Sequence, residues 1–364
     1  MIKLFQLLKL CVVLLIGGHC NAQDYQLVWS DEFNKDGCLD ESIWNYEQGY
    51  ARNEELQWYQ SDNAWCQGGL LVIEARSEKR KNPLYKAGSY DWRTSREYIE
   101  CTSSSITTFG KKEFLYGRFE VRARIPVGKG AWPAIWTLGS SMEWPSCGEI
   151  DIMEFYRKHG IPHILANAAW GTDRQWNAKW NSKAIPFIHF LEKNSDWASE
   201  FHIWRMDWDE EAIRLYLDDE LLNEILLKDT YNGSIGSYKN PFMQPQYILL
   251  NLAVGGINGG EVEINTYPIR YEIDYVRVYQ KIKYIDMGIK KIIIGLCLGI
   301  YTFCGCSNEP LQPIRSGEIW PDNNGEHINA HGGGVMYHDG TYYWFGENKC
   351  DTTSSAMVGV MCYS

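Results

Sequence analysis

"GEIDIMEF", residues 148–155, carries three acidic side chains, Glu149, Asp151 and Glu154, among apolar ones. Side chains alternate between the two faces of a β-strand, so a regular strand would place Glu149 and Asp151 on one face and Glu154 on the other. A β-bulge between Asp151 and Glu154 would absorb one residue and return Glu154 to the first face. The sequence therefore predicts a bulged strand whose three acids line one cleft.

Two glutamates that flank a cleft are a common arrangement for hydrolysing a glycosidic bond. The two carboxyl groups stand about 5–5.5 Å apart in retaining enzymes and about 6.5–9.5 Å apart in inverting ones. Long side chains that lean inward from a bulged strand fit the shorter spacing. We therefore predict Glu149 as nucleophile and Glu154 as general acid and base, with Asp151 assisting through hydrogen bonding and like-charge repulsion.

A solvent-exposed acidic strand is the alternative interpretation of the same stretch. Ile150, Ile152, Met153 and Phe155 surround the acids with apolar side chains. A strand of this composition buries one face in a core, which disfavours the exposed alternative.

Composition narrows the class of partner. The 364 residues carry a formal charge of -11, and no long basic run is present, which argues against nucleic acid or an anionic membrane as partner. Aromatic residues make up 14% of the chain, with 16 Trp and 23 Tyr, and such rings suit the faces of sugars. We expect a polysaccharide or glycan substrate, and no specific protein partner is predicted.

Residues 25–281 show the pattern of an all-β protein. Short alternating or aromatic-rich runs such as "YGRFEVRARI" and "YEIDYVRVYQK" are separated by Gly, Pro, Asn and Asp. This pattern predicts a sandwich of two antiparallel sheets with a concave substrate cleft. Residues 182–201 interrupt it, and we interpret them as an inserted loop with a short helical turn.

These features together resemble glycoside hydrolase family 16, in its laminarinase-like branch. The signature E-I-D-x-x-E stands here as "EIDIME", and further similar stretches are "LVWSDEF", "NEELQWY", "GAWPAIWTLG" and "FHIWRMDWDEEAIRLYLDD". The resemblance covers residues 25–281. It implies a β-jelly-roll fold, no required cofactor, and the same three roles for Glu149, Asp151 and Glu154.

The resemblance also implies a sugar-binding platform. Trp132 and Trp136 are four residues apart, hence on one face of a strand that the family places beside the catalytic one; the alternative for each is a core tryptophan. Asn53 and Glu55 match polar positions that the family uses near the nonreducing sugars. Further candidates for the cleft walls are Trp58, Trp170 and Trp176.

Three departures from the laminarinase pattern concern the substrate. Ser105 stands where many relatives have Arg, Ala169 where they have His, and Glu54 where a second Asn is common. These changes leave the expected reaction intact and put a plain β-1,3-glucan substrate in doubt.

A structural calcium ion is a further expectation from the resemblance. Many relatives bind one on the convex face, and the matching acids here are Glu32 and Asp274. The alternative is that each acid forms an ordinary surface ion pair.

The amino terminus indicates export. Residues 1–22 contain Lys3, the apolar run "LLKLCVVLLIGG" and small residues before Gln23, which is typical of a cleaved signal peptide, although a buried helix is the alternative. We predict a secreted, periplasmic or cell-surface bacterial protein. The four cysteines of the next domain, residues 23–284, would then lie where disulfides can form, but their spacing does not give the pairing.

The carboxyl-terminal tail begins like a second protein. Residues 287–310 are typical of a bacterial lipoprotein signal, with an internal anchor or a buried helix as alternatives. Residues 311–364 resemble the start of a glycoside hydrolase family 43 enzyme of the exo-β-1,3-galactanase branch. One blade of a β-propeller is too little for activity, so we interpret the tail as a truncated second reading frame. A galactanase-like neighbour suggests that the first enzyme also acts on galactan or a galactose-bearing glycan.

Two other function classes share this fold and remain alternatives. A non-catalytic carbohydrate-binding protein could use the same tryptophans but would not need three acids on one strand, and a structural surface protein would lack an open groove. We therefore predict a retaining endo-β-glycosidase that cuts β-1,3 or β-1,4 linkages. The sequence favours a galactose-containing glycan, with laminarin or mixed-linkage β-glucan as the alternative substrate.

Overall fold

The computed structural model describes residues 25–282 and the backbone of three more strands between residues 331 and 363. These fall into two separate units, one on each side of residue 284. The predicted signal peptide, residues 1–22, and the lipoprotein-signal-like segment, residues 287–310, lie outside the described residues and stay predictions.

The first unit is built almost entirely from β-strands. In chain order they are β1 (Tyr25–Asp31), β2 (Asn45–Tyr46), β3 (Gln57–Tyr59), β4 (Ala64–Gln67), β5 (Leu70–Lys81), β6 (Tyr98–Ser103), β7 (Ser105–Thr107), β8 (Gly117–Arg124), β9 (Ala131–Gly139), β10 (Glu149–Lys158), β11 (Ile161–Gly171), β12 (Ala178–Pro186), β13 (His202–Trp208), β14 (Ala212–Leu217), β15 (Glu220–Leu226), β16 (Gln246–Val254) and β17 (Ile269–Lys281). Three one-turn helices accompany them: α1 (Trp92–Ser95), α2 (Ile188–Leu191) and α3 (Gly256–Gly259). Among the described residues, no helix has the length and apolar character needed to cross a membrane.

Two sheets pack face to face and enclose the core. One has the order β15-β14-β13-β8-β17-β5-β6-β3, with β1 beside β17 and β4 beside β5; the other has the order β12-β11-β10-β9-β16-β7-β2. Neighbouring strands run antiparallel except β3 and β6, which are parallel. The predicted all-β sandwich is confirmed, and the parallel pair is a local departure from the expected antiparallel pattern.

Alternating burial explains why these sequences form the sandwich. Along β8 and β13, every second residue is buried. Phe119 and Trp204 from these strands enter the same core as Ile150 and Phe155 from the opposite sheet. One face of each sheet thereby leaves water, which is the main force that holds the two sheets together.

The stretch predicted as an inserted loop is only partly a loop. Residues 182–186 continue β12, which pairs with β11 as far as Pro186 opposite His163. Helix α2 and a 3₁₀ turn, Trp197–Ser199, follow. The helical turn is confirmed, whereas the interpretation of the first five residues as a loop is wrong, because pairing with β11 satisfies their backbone groups.

The predicted bulge is present in β10. Asp151 pairs with Asn167 of β11 and Glu154 pairs with Leu165, so three steps along β10 match two along β11. The register with β9 shifts at the same place. The two residues between the acids are both buried in the core. The bulge therefore absorbs the extra residue and keeps Glu154 on the face that carries Asp151.

Gly148, directly before β10, adopts a conformation that other residues avoid. Its φ is +79°, and an added Cβ would lie 2.8 Å from Cβ of Pro241 and 3.1 Å from the ring of Phe242. We expect Gly148→Ala to lower the free energy of unfolding by about 2 kcal/mol or more, because it adds backbone strain and overpacking. Urea denaturation would measure the loss.

Gly128→Ala is the matched control for this substitution. Gly128 is not in the left-handed region, and an added Cβ there meets no atom within 4 Å. A similar stability for both variants would contradict the assigned role of Gly148.

The four cysteines among residues 25–282 are all free thiols. Cys66, Cys101 and Cys147 are buried, and Cys38 is exposed. The disulfides that an exported location would permit are therefore not formed among residues 25–282.

The second unit is described by its backbone. Strands β18 (His331–His338), β19 (Thr341–Lys349) and β20 (Met357–Tyr363) form an antiparallel sheet with β19 in the centre. The proposed origin of residues 311–364 as a propeller fragment stays a prediction.

Candidate active site

A cavity of about 560 Å³ opens on the seven-stranded sheet, on the face opposite the core. The three acids of β10 lie in its wall. The full lining is Arg52, Asn53, Glu55, Trp132, Ala134, Trp136, Leu138, Trp144, Glu149, Asp151, Glu154, Tyr156, Asn167, Trp180, Ser182, Asn251, Ile257 and Asn258. The predicted convergence of three carboxyl groups in one cleft is thus observed.

An indole fixes the first glutamate. Nε1 of Trp144 donates to Oε2 of Glu149 at 2.7 Å. Trp144 lies in the turn between β9 and β10, so the turn that starts the catalytic strand also orients its first acid. A donor at this position stabilises the ionised form of the carboxyl group, which is the form that a nucleophile requires.

A second indole and one amide hold the other two acids. Nε1 of Trp132 donates to Oε1 of Glu154 at 3.0 Å. Nδ2 of Asn167 donates to Oδ2 of Asp151 and to Oε2 of Glu154, both at 3.0 Å. Because Asn167 stands opposite Asp151 on β11, the register of the sheet places its amide between the two carboxyl groups.

Burial governs the protonation of the three acids. It is the largest cause that raises the pKa of Glu149, Asp151 and Glu154, since a cavity wall disfavours charge. Repulsion from Glu154 adds to the effect on Glu149, whose pKa rises to about 7. The hydrogen bond from Trp144 and the charge of Arg52 act in the opposite direction. The three acids together therefore retain protons at pH values where exposed carboxyls have lost them, and Glu154 can donate one as general acid.

Removing one of these acids is expected to stabilise the fold at alkaline pH. The pKa of Glu149 is higher in the folded than in the unfolded protein, so its contribution to stability is complete below pH 4.5 and is lost as the pH rises through about 7. We expect Glu149→Gln to raise the free energy of unfolding relative to wild type by about 1–3 kcal/mol at pH 8.5 but not at pH 4.5.

Urea denaturation of both proteins at the two pH values would check this difference. Glu54→Gln removes an exposed carboxyl and should give the same difference from wild type at both pH values. A pH-independent effect of Glu149→Gln would contradict the assignment of a buried, destabilising charge.

The predicted sugar-binding residues divide into two groups. Trp132, Trp136, Asn53 and Glu55 all line the cavity. Nδ2 of Asn53 lies 3.4 Å from Oε1 of Glu55, whose Oε2 accepts a bond from Gln57 at 2.6 Å. The turn and the strand that the motif "NEELQ" forms therefore bring these polar groups to the cleft.

Three other tryptophans lie outside the cavity lining. Trp170 is 7% exposed and packs in the core against Phe242. Its prediction as part of the cleft wall is therefore wrong. Its neighbour Ala169 pairs with Glu149 on the cleft face, and alternation along β11 turns Trp170 toward the core. Trp176 is exposed in the loop before β12, and Trp58 packs against Tyr50. None of the three contributes to the cavity wall within the described residues.

Among the lining residues that the sequence did not predict are Arg52, Trp144, Asn167 and Trp180. The alternation that places Ala169 beside the site also places Asn167 on the same face, which was an available signal. Trp180 is paired with Ala169 across β11 and β12, and only the strand register reveals this. Trp144 and Arg52 come from turns, where periodicity gives no guidance.

The two acids expected to bind calcium each have an arginine partner. Both oxygens of Glu32 accept bonds from Arg277, at 2.9 and 2.7 Å. Asp274 accepts a bond from Arg122 at 2.5 Å. The arginines bind three of the four carboxylate oxygens of these acids. Among the described residues, no cluster of three His, Cys, Asp or Glu side chains suited to a metal occurs. The residues therefore fit the alternative of surface ion pairs.

Comparison with known proteins places this geometry in a family. A model described as Glycosyl hydrolases family 16 matches residues 77–277. The "Beta-glucanase" of Rhodothermus marinus is 36% identical over 277 residues, covering 71% of this chain and 86% of that protein. The "Keratan-sulfate endo-1,4-beta-galactosidase" of Sphingobacterium multivorum is 28% identical, covering 71% of this chain and 56% of that protein.

A solved structure shows the same similarity. It comes from work in which "prominent members of the human gut microbiota express endo-acting O-glycanases to initiate mucin breakdown". The two chains are 34% identical with a TM-score of 0.62, over 71% of this chain and 92% of the other.

Proposed function

Since this chain belongs to glycosyl hydrolase family 16 and is therefore a glycoside hydrolase, we propose that it cuts internal β-1,3 or β-1,4 linkages of a galactose-containing glycan with retention of configuration. The observation that carries the proposal is the single bulged strand with Glu149, Asp151 and Glu154 in one cavity wall.

In the first step, Glu149 is the nucleophile. Its carboxylate attacks the anomeric carbon while the bond from that carbon to the leaving oxygen breaks. Glu154 gives its proton to the leaving oxygen, so the departing sugar leaves as an alcohol. The indole of Trp144 keeps the attacking carboxylate in place and favours its ionised form.

In the second step, Glu154 acts as a base. It takes a proton from water, the water oxygen bonds to the anomeric carbon, and the ester to Glu149 breaks. Two inversions at the same carbon restore the β configuration. Asp151 shares Asn167 with Glu154 and can move between hydrogen-bonding partners as the charge shifts. Neither step requires a cofactor.

The galactose preference rests on the relatives and on three substitutions. Two of the similar proteins carry names or descriptions that refer to a galactosidase and to O-glycanases. Ser105, Ala169 and Glu54 depart from the laminarinase pattern, and Ala169 lies directly across the sheet from Glu149. A laminarinase or mixed-linkage β-glucanase is the second candidate, which the 36% identity to a beta-glucanase supports.

Product analysis on four polymers would test this proposal. We would incubate the full chain with laminarin, barley mixed-linkage glucan, debranched arabinogalactan and poly-N-acetyllactosamine glycans, with Glu149→Gln as control. Oligosaccharides from a galactose-containing polymer, first released as β anomers, would support the proposal. Products from the glucans alone would favour the second candidate, and α anomers would refute retention.

Export to the bacterial cell surface, the periplasm or the medium is part of the proposal. It is supported by the signal-like composition of residues 1–22. Amino-terminal sequencing of protein recovered outside the cytoplasm should begin at Gln23, and a retained residue 1 would contradict cleavage.

A further inference from the structure

One cation stands in the wall of the otherwise acidic cleft, and the proposed reaction does not use it. Arg52 lines the cavity together with Asn53 and Glu55. Its guanidinium lies over the ring of Trp136, 5.0 Å from the ring centroid. One face of this predicted sugar platform is therefore covered by a side chain of the protein itself.

An ion pair with Glu47 holds Arg52 in this position. Its Nη2 donates to both carboxylate oxygens of Glu47. Oε2 of Glu47 also accepts a bond from Oγ of Ser105 at 2.6 Å. An ion pair supported by a hydroxyl and a stacked ring restricts the guanidinium more than a single surface ion pair would.

The strand order gives the place of Arg52 along the cleft. Ser105, which donates to the ion-pair partner Glu47, belongs to β7, and β7 lies two strands beyond β9 and three beyond β10. Trp180 on β12 lines the opposite end. Arg52 therefore lies on the β7 side of the cleft, away from Trp180, with its guanidinium over Trp136 of β9.

One nitrogen of Arg52 has no hydrogen-bond partner. Nη1 is buried and unpaired among the described residues, whereas Nη2 is paired twice. A buried donor on a charged group destabilises the folded protein when it is left unpaired. Because Nη1 is buried, a hydroxyl oxygen of a bound sugar can supply the missing acceptor only when the guanidinium shifts toward the cleft.

The charges around Arg52 select an uncharged partner. Glu47 neutralises the guanidinium directly, and Glu55 lies in the same wall. No net positive charge then remains to attract a sulfate or carboxylate group. The guanidinium of Arg52 and the exposed amide of Asn53 instead offer N–H donors to neighbouring hydroxyls, next to the buried carboxyl of Glu55.

We propose that Arg52 is a specificity-determining residue that binds the hydroxyl groups of one uncharged hexose unit, at the end of the cleft next to β7. This role rests on the proposed function, since it assumes a glycan in the cleft. Arg52 touches no reacting atom, but its charge lowers the pKa of Glu149, so kcat is compared at the pH optimum of each protein.

Arg52→Gln and Arg52→Lys would test the role on whichever polymer the wild-type protein cuts. We expect KM to rise at least tenfold in Arg52→Gln while kcat, at the pH optimum of each protein, stays within threefold. Arg52→Lys keeps the charge without the planar fork and should lie between wild type and Arg52→Gln. An unchanged KM, or a fall in kcat with unchanged KM, would overturn the proposal.

Arg277→Gln is the matched control. Arg277 also stacks on a ring, that of Tyr275, at 3.8 Å, and pairs with a glutamate, Glu32, but it lies on the other sheet. Its kinetic constants should equal those of wild type. An equal rise in KM for Arg277→Gln would show that loss of stability, rather than loss of a sugar contact, causes the effect.

A binding experiment separates this inference from the proposed function. We would measure the retardation of Glu149→Gln in gels that contain each of the four polymers, with and without Arg52→Gln. Retardation that Arg52→Gln abolishes supports the subsite even if wild type cuts none of them. Retardation by no polymer, or equal retardation with and without Arg52→Gln, overturns it. Tighter Arg52-dependent binding of keratan sulfate than of its desulfated form would refute an uncharged sugar.

Discussion

Glu149→Ala is expected to lower turnover of the polymer on the order of 10⁴-fold, because no other group can form the covalent intermediate. The small alanine side chain leaves room for an external anion on the face where the carboxylate stood. With an activated aryl glycoside of the same sugar, azide should restore turnover by attacking the anomeric carbon once. The product should be an α-glycosyl azide, since a single displacement inverts the configuration.

The configuration of the azide product makes this prediction specific. A β-glycosyl azide from Glu149→Ala would show that another residue is the nucleophile. Glu143→Ala removes an exposed glutamate from the turn before β10 and serves as control. It should keep wild-type activity without any response to azide.

Glu154→Ala is expected to have the second largest effect, and its size should depend on the leaving group. A polymer needs protonation of its leaving oxygen, so its turnover should fall about 10²–10⁴-fold. Dinitrophenolate is a good leaving group that needs no proton. With a dinitrophenyl glycoside, the covalent intermediate should therefore form at close to the wild-type rate. Azide should then attack the intermediate and yield the β-glycosyl azide.

Burst kinetics would check the prediction for Glu154→Ala. An initial burst of dinitrophenol followed by slow turnover means that the intermediate forms quickly and is hydrolysed slowly, because no base activates the water. An equal loss of activity on polymer and on dinitrophenyl glycoside would contradict the role of Glu154 as acid and base.

The bulge in β10 could be predicted because a shared cleft for three acids conflicts with the strict alternation of side chains along a strand. The acid at 154 stands one place late, and only a bulge reconciles a shared cleft with a buried apolar face. The sandwich could likewise be read from alternating runs such as β8, where every second residue is buried.

Residue type misleads where the register between strands decides the outcome. It places Trp170 in the cleft, whereas alternation from Ala169, which faces the site, turns Trp170 into the core. The full cleft wall depends on turns as well. Trp144 and Arg52 reach it through loop conformation, and the arginine partners of Glu32 and Asp274 come from distant strands.

The bulge also makes β10 tolerant of a change in length. If Met153 were deleted, the strand would read E-I-D-I-E-F, and strict alternation would still place the three acids on one face and Phe155 on the other. The extra residue thus sets the separation of the last acid from the first two, not the face on which it lies. A strand with one residue fewer would present the same acids at a shorter separation. A change in length at this point therefore alters the spacing of the catalytic groups but not the face of the sheet that carries them.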